Sequence, residues 1–279
     1  MKKSLTLVAF AALAACASTG AMAADWSDTS IGYRTGSKFA EPFNPNDIKK
    51  NIVNLTHVSG YKYGTNFLSV DLLSSDNKYA SEAGAQEAYV VYRHTLDLGK
   101  VTGNAYGFGP VKGLGLTAGF DWNTKNDAGY SSRKRMLVVG PTLFMAVPTG
   151  FLNVTAAVLS ESNQPVTGFG QSTRVARYNF DTHGALLASW GIPLGNGFSF
   201  EGYANWIASK GKNEFGGPTA PEFNFDGQVM YDLSASTGLP KGALKAGLQY
   251  QYWRNKFGNP HSVPGSLAKT PQLRVEYHF

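Results

Sequence analysis

Apolar residues recur at every second position through most of this chain, in blocks of about ten residues, and that period fits a strand with two unlike faces. Leu114, Leu116, Ala118, Phe120 and Trp122 alternate with Gly113, Gly115, Thr117, Gly119, Asp121 and Asn123. Leu244, Ala246, Leu248, Tyr250 and Tyr252 oppose Lys245, Gly247, Gln249, Gln251 and Trp253, and the chain closes on Leu273, Val275, Tyr277 and Phe279 against Gln272, Arg274, Glu276 and His278. The same rhythm marks 152–159, 198–207 and 222–233. Noisier strands are expected at 28–35, 50–59, 64–73, 85–98, 134–147 and 177–190, which with the six clean ones above makes twelve. Single-chain bacterial membrane barrels have an even number of strands, and about 9–13 tilted residues cross their apolar band.

The start of the chain says where such a sheet would go. Lys2 and Lys3 precede an apolar run from Leu5 to Ala15, and Ala21-Met22-Ala23 is a small-residue cleavage site. This is the pattern of a secretory signal peptide covering 1–23, with the mature chain, 24–279, starting at Ala24. The rival reading is a lipobox, Leu13-Ala14-Ala15-Cys16, with lipid attached to Cys16. Cys16 is the only cysteine, so a chain cut after Ala23 has neither disulfide nor thiolate chemistry. Removing Lys2 and Lys3 from the 25 basic residues leaves 23 against 19 acidic ones, a mild +4. That balance, without any K/R-rich run, argues against nucleic acid as a partner. The 17 Phe, 14 Tyr, 5 Trp and 32 Gly accompany a mean hydropathy of −0.20. A barrel reconciles these values, because it hides its apolar residues at alternate positions. A soluble β-sandwich also alternates. Aromatics at the strand ends and the aromatic-ended last strand favour the barrel.

The connections alternate in length. Val147-Pro148-Thr149-Gly150, 192–197 and Leu239-Pro240-Lys241-Gly242 read as tight Pro/Gly turns, and 36–49, 74–84, 123–133, 161–176, 210–220 and 255–268 as longer polar loops. Short turns face the periplasm in such barrels and long loops face outward, so both termini are expected on the periplasmic side. The connection 99–110 is too long for that rule.

Three stretches carry a resemblance. Phe108-Gly109-Pro110-Val111-Lys112 leads into a clean strand, Asp25-Trp26-Ser27-Asp28 precedes Ile31-Gly32-Tyr33-Arg34, and the chain ends Arg274-Val275-Glu276-Tyr277-His278-Phe279. Together they resemble the nucleoside-specific channel-forming outer-membrane proteins, the Tsx-like family. The resemblance implies an all-β transmembrane antiparallel barrel of twelve strands with a narrow lumen passing nucleosides. Its partners would be outer-membrane lipid, the small-molecule solute, and the barrel-assembly machinery engaging the last strand at Phe279. No cofactor is implied.

The lumen faces supply the candidate solute-binding residues. By strand direction, Arg34, Asp71, Glu87, Asn179, Asp181, Asn205, Glu222, Asn224 and Trp253 are expected toward the outer mouth, with Tyr203 and Arg274 nearer the middle. Carboxylates can accept from ribose hydroxyls, amides can pair with base edges, and Tyr203 or Trp253 can stack a planar base. Two other classes remain. One is a barrel lipid hydrolase, for which His57-Val58-Ser59 puts a base and a nucleophile on one strand face, with Asn66 placed to orient the histidine. The other is a structural or adhesive barrel plugged by its own charge pairs.

Overall fold

The computed structural model describes residues 24–78, 84–127, 129–167 and 173–279, so the expected leader and Cys16 lie outside the described residues. Among the described residues twelve long strands run up and down. They are β1 (Trp26–Glu41), β2 (Asn44–Tyr61), β3 (Gly64–Ser75), β4 (Gln86–Asp97), β5 (Val111–Asn126) and β6 (Arg135–Met145), followed by β7 (Phe151–Asn163), β8 (His183–Gly195), β9 (Phe198–Ile207), β10 (Glu222–Asp232), β11 (Leu244–Arg254) and β12 (Leu267–His278). Each pairs antiparallel with its chain neighbours, and β12 returns to β1 with Arg274 opposite Arg34. The sheet is therefore closed and has no edge. Closure is what hydrocarbon demands, since an unpaired backbone group there has no water to turn to. No described helix is long and apolar enough to cross a membrane; the strands do the crossing.

One register pair shows which way the faces point. Leu248 and Leu273 stand opposite each other on β11 and β12 and are 66% and 62% exposed, whereas the next pair, Gln249 and Gln272, are both 4% exposed. Polar inside and apolar outside inverts a water-soluble sandwich and removes that alternative. Bulky aromatics fill the outer surface. Trp190 lies 5.3 Å from the Phe200 ring and 5.7 Å from Phe225, over Gly202, where an added Cβ would sit 2.2 Å from the Asp226 carbonyl oxygen.

The two ends differ as expected in kind, with corrections in detail. Both termini share one end, where the Phe279 amide donates to the Thr29 carbonyl at 2.9 Å. Turns there include Lys62-Tyr63 and Asn196-Gly197. The long connection after β4 forms α1 (Leu98–Thr102), in which the Lys100 amide donates to the capping Asp97 side chain and whose end is turned by Gly103 at φ 76. Leu239–Gly242 proves to be part of a longer link, 233–243, that contains α2 (Ser234–Thr237). At the other end, 36–49 is not a loop. It is a hairpin in which β1 and β2 run on past the expected boundary and turn at Pro42-Phe43, with Phe43 at φ 68. Alternation continues there, but the outward residues are polar. The inward Phe39, Ile48 and Ile52 pack with Ala85 and Leu73.

The expected strand 177–190 is broken. Tyr178 and Asn179 pair with Asn163 and Ser162 of β7, but β8 proper begins at His183. At the break, the Asp181 amide turns to the Lys210 carbonyl, 3.2 Å away. An interruption of this kind re-aims every side chain before it.

Candidate functional site, the polar lumen

The inward faces form a polar girdle at mid-height. On β1–β3, Arg34 is ion-paired with Asp71, which also accepts from Asn54 Nδ2 at 2.7 Å. On β4–β5, Tyr89 donates to Asp121 at 2.8 Å, and Arg93 lies 2.7 Å from the same carboxylate. Below them a threonine ladder crosses four strands: Thr95 to Thr117 at 2.8 Å, Thr117 to Thr142 at 2.6 Å, and Thr142 to Thr155 at 2.8 Å. On β9–β12, Asp226 accepts from Gln251 at 3.2 Å and from Gln249. Arg274 reaches Gln249 Oε1 at 3.2 Å and Glu276 at 2.6 Å. Every charge in this circuit has a counter-charge or a dipole, as a low-dielectric wall requires.

The expected site residues divide into three groups. Arg34, Asp71, Tyr203, Asn205, Asn224 and Arg274 share the lumen. Arg34, expected nearer the mouth, stands level with Arg274, because β1 and β2 rise further than expected. The Asn224 amide lies 3.4 Å from the Tyr203 hydroxyl and faces Asn205 across β9–β10, and Asn224 Oδ1 has no partner among the described residues. Glu87, Glu222 and Trp253 lie at the mouth but are engaged. Glu87 accepts from Asn123, and Glu222 accepts from Trp253 Nε1 at 3.2 Å and the Phe257 amide at 3.1 Å. Trp253 also has the Phe257 ring at 4.7 Å and the Lys256 ammonium 4.9 Å from its centroid. Asn179 and Asp181 form the third group. Both are exposed and precede the start of β8, and Asn179 lines a groove on the outer surface with Phe120, Trp122 and Leu137.

Two residues at the mouth escaped the sequence reading, Lys210 and Lys256. Lys210 reaches from the 208–221 loop to Glu161 at 2.9 Å and Glu222 at 3.7 Å, joining β7 to β10, with its ammonium 4.5 Å from the Phe180 ring. The loop is held down elsewhere too. Tyr130 bonds Glu214, the Tyr178 hydroxyl donates to the Lys212 carbonyl at 3.0 Å, and the Ala220 amide to Gly258 at 2.8 Å. Beside it an apolar patch, Met136, Val138, Ala157, Leu159 and Ala185, is buried on the lumen side of β6–β8. Nothing local in a lysine within a polar loop marks it as a strut between β7 and β10.

Burial alone would push the Lys210 ammonium down, but Glu161, Glu222 and Glu214 outweigh that and hold its pKa above the ordinary 10.5. A raised lysine contributes stability fully below 10.5 and loses it as pH rises through the folded value. The strut is expected to hold through neutral and mildly alkaline pH. Thermal melts of wild type and Lys210→Met compared across pH check this: their difference should stay constant until strongly alkaline pH and then shrink.

Of the residues expected for hydrolysis, His57 and Asn66 have other partners. His57 and Ser59 share the outward face of β2 at the periplasmic end, and His57 Nδ1 meets Thr29 Oγ1 at 2.8 Å. Asn66, the expected orienting group, instead meets His94 Nδ1 and the Tyr92 hydroxyl, each at 2.9 Å.

A closed twelve-strand barrel with an apolar exterior and a polar interior is a transmembrane barrel of the bacterial outer-membrane type, and the outer membrane is where this chain resides. No protein-family model matches the chain, and no curated protein matches it. Among solved structures it is similar to the translocator domain of the autotransporter NalP from Neisseria meningitidis (TM-score 0.51, 10% identity, covering 98% of each chain). It is also similar to an outer membrane channel from Pseudomonas putida F1 (TM-score 0.50, 12% identity, covering 93% of this chain and 97% of that one). At these identities the likeness is one of fold.

Proposed function

We propose that this barrel is a channel for passive passage of small hydrophilic solutes, and that nucleosides are the solute. One observation carries the channel reading. The girdle's ionic side chains Arg34, Asp71 and Arg93 remain 13–20% exposed, and the Lys245–Glu201 pair toward the periplasmic end 23% and 27%, which supports a lumen that water enters. A solute that trades water for these groups, and is held weakly enough to leave, can cross.

Support for nucleosides comes from the sequence resemblance and from the Tyr203–Asn224 corner. A planar base would lie on Tyr203, on which no described ring stacks, with the Asn205 amide on the same lumen face to meet the base edge. Ribose hydroxyls would donate to Asp71 or Asp226. Trp253 is the poorer stacking face, because its indole N–H is committed to Glu222 and a lysine approaches its ring.

The test is block of single-channel current in planar bilayers. Adenosine or thymidine at millimolar concentration is expected to reduce current through the wild type, and Tyr203→Ala to weaken that block by about 1–3 kcal/mol of binding. Current that ignores every nucleoside would assign the channel another solute. Absence of current would overturn the channel reading in favour of a barrel closed by the Lys210 strut, the second reading that the Glu161–Lys210–Glu222 contact favours.

A further inference from the structure

The outer wall carries a cluster of positive charge with no counter-charge among the described residues. Arg135 opens β6 directly opposite Trp122 on one side and Ser162 on the other. Those residues share the outward face with Phe120 and Leu137, which are exposed. Arg133 lies two residues further along the chain toward the loops. Arg177 comes in from the segment before β8 and donates to Ser162 Oγ at 3.0 Å and the Arg133 carbonyl at 3.3 Å. Two adjoining grooves meet at Trp122 and Arg135. The upper, about 230 Å³, is lined also by Arg133, Arg177 and Gln164, and the lower, about 430 Å³, by Phe120 and Leu137.

None of the three guanidiniums has a carboxylate within ion-pair distance among the described residues. By contrast, Arg34, Arg93, Arg274, Lys50, Lys210 and Lys256 are each paired with one. Asp121 and Glu161 also line the lower groove, but both are buried on the lumen side, with their carboxylates held by Arg93 and Lys210. Burial, and then the like charges of Arg135 and Arg133, push the Arg177 pKa down. Like charges gathered this way repel, and an external anion would relieve them.

We propose that Arg133, Arg135 and Arg177 form a binding site for the phosphate of a phosphorylated glycolipid in the outer leaflet. The site stands where the apolar belt gives way to the loops, which is the depth of a headgroup. Arginine forks match phosphate oxygens two at a time. Phe120, Trp122 and Leu137 would take the acyl chains below, as interfacial aromatics and aliphatics do. The inference rests on the membrane location and on the loop end facing outward, and is independent of what crosses the lumen.

The experiment uses purified full-length barrel in detergent, with three probes: bacterial lipid A, the same lipid A after enzymatic removal of its phosphates, and inorganic phosphate. Native mass spectrometry is expected to show lipid A retained on the wild type. Affinity should fall about tenfold or more on dephosphorylation, and by a similar factor in the Arg133→Gln/Arg135→Gln/Arg177→Gln variant. Inorganic phosphate should compete only weakly, because it lacks the acyl chains. Equal retention of the two lipids by the wild type would overturn the proposal even if the variant failed to fold. So would undiminished lipid A binding by a folded variant, or binding of inorganic phosphate as tight as that of lipid A. Nucleoside block measured on the same samples should be unaffected by the triple substitution, which separates failure of this site from failure of the channel reading.

Discussion

Leu248→Arg is expected to destabilise the barrel in phospholipid vesicles by ~2–4 kcal/mol, the cost of a guanidinium on the lipid face near the bilayer midplane. Leu248 lies mid-way along β11, and its register partners Val229 and Leu273 also point outward. No polar group of the outer wall stands opposite it to receive a charge. Reversible guanidinium unfolding followed by tryptophan fluorescence measures the effect. The matched control is Gln251→Arg, three positions on and in the lumen beside Asp226. There the new charge meets water and a carboxylate, so the barrel should assemble with near-normal stability and altered conductance. Gly115 would be a poor lumen control, since an added Cβ would sit 2.7 Å from the Leu96 carbonyl oxygen. Were the two substitutions to rank in the opposite order, the register assigned to β11 would be wrong by one residue.

The second large effect is expected at the tip of β1. Glu41 Oε1 lies 2.6 Å from the Lys50 ammonium and 3.2 Å from that of Lys256, and all three side chains are almost wholly buried. Lys256 also donates to the Ala40 carbonyl at 2.6 Å. Glu41→Gln removes the negative charge that two buried cations share. Breaking a buried pair from one side costs about 3–5 kcal/mol, and the loss should appear as a lower melting temperature. Lys256 adds a pH signature. Burial already pushes its ammonium below the ordinary 10.5, Glu41 raises it in part, and Lys50 lowers it further. Without Glu41 the depression deepens. A base depressed in the folded state destabilises at pH below its folded pKa, and that penalty disappears as pH rises to the unfolded value. The deficit of Glu41→Gln should therefore shrink as pH is raised toward 10.5. A variant that melts like wild type at neutral pH would show that Glu41 is not what neutralises the pair.

Strands inside the membrane were legible because two solvents act on them. Lipid selects Leu116, Phe120, Leu248 and Val275 on one side, and the lumen selects Thr117, Asp121, Gln249 and Glu276 on the other, so each residue reports its own orientation. The hairpin of β1 and β2 leaves the bilayer, its outer face meets water, and the contrast fades. Lys49, Asp47 and Asn46 then read as loop although the inward Ile48 and Ile52 keep the period. Asn179 stands on the outer wall for another reason. Periodicity carries a face assignment along an unbroken strand, and the break before His183 resets it.

The sequence by itself determined the twelve crossings, their register-defining alternation and the polar character of the lumen, because these follow from whether each residue meets lipid or water. Only the tertiary structure decided which loop charges reach over the mouth and which polar groups remain available. Lys210 and Lys256 arrive from loops, and their partners Glu161 and Glu41 lie 49 and 215 positions away in the chain. A buried charge takes whichever counter-charge the closed barrel brings within about 4 Å. That choice depends on the path of the loops across the mouth, which no local period records.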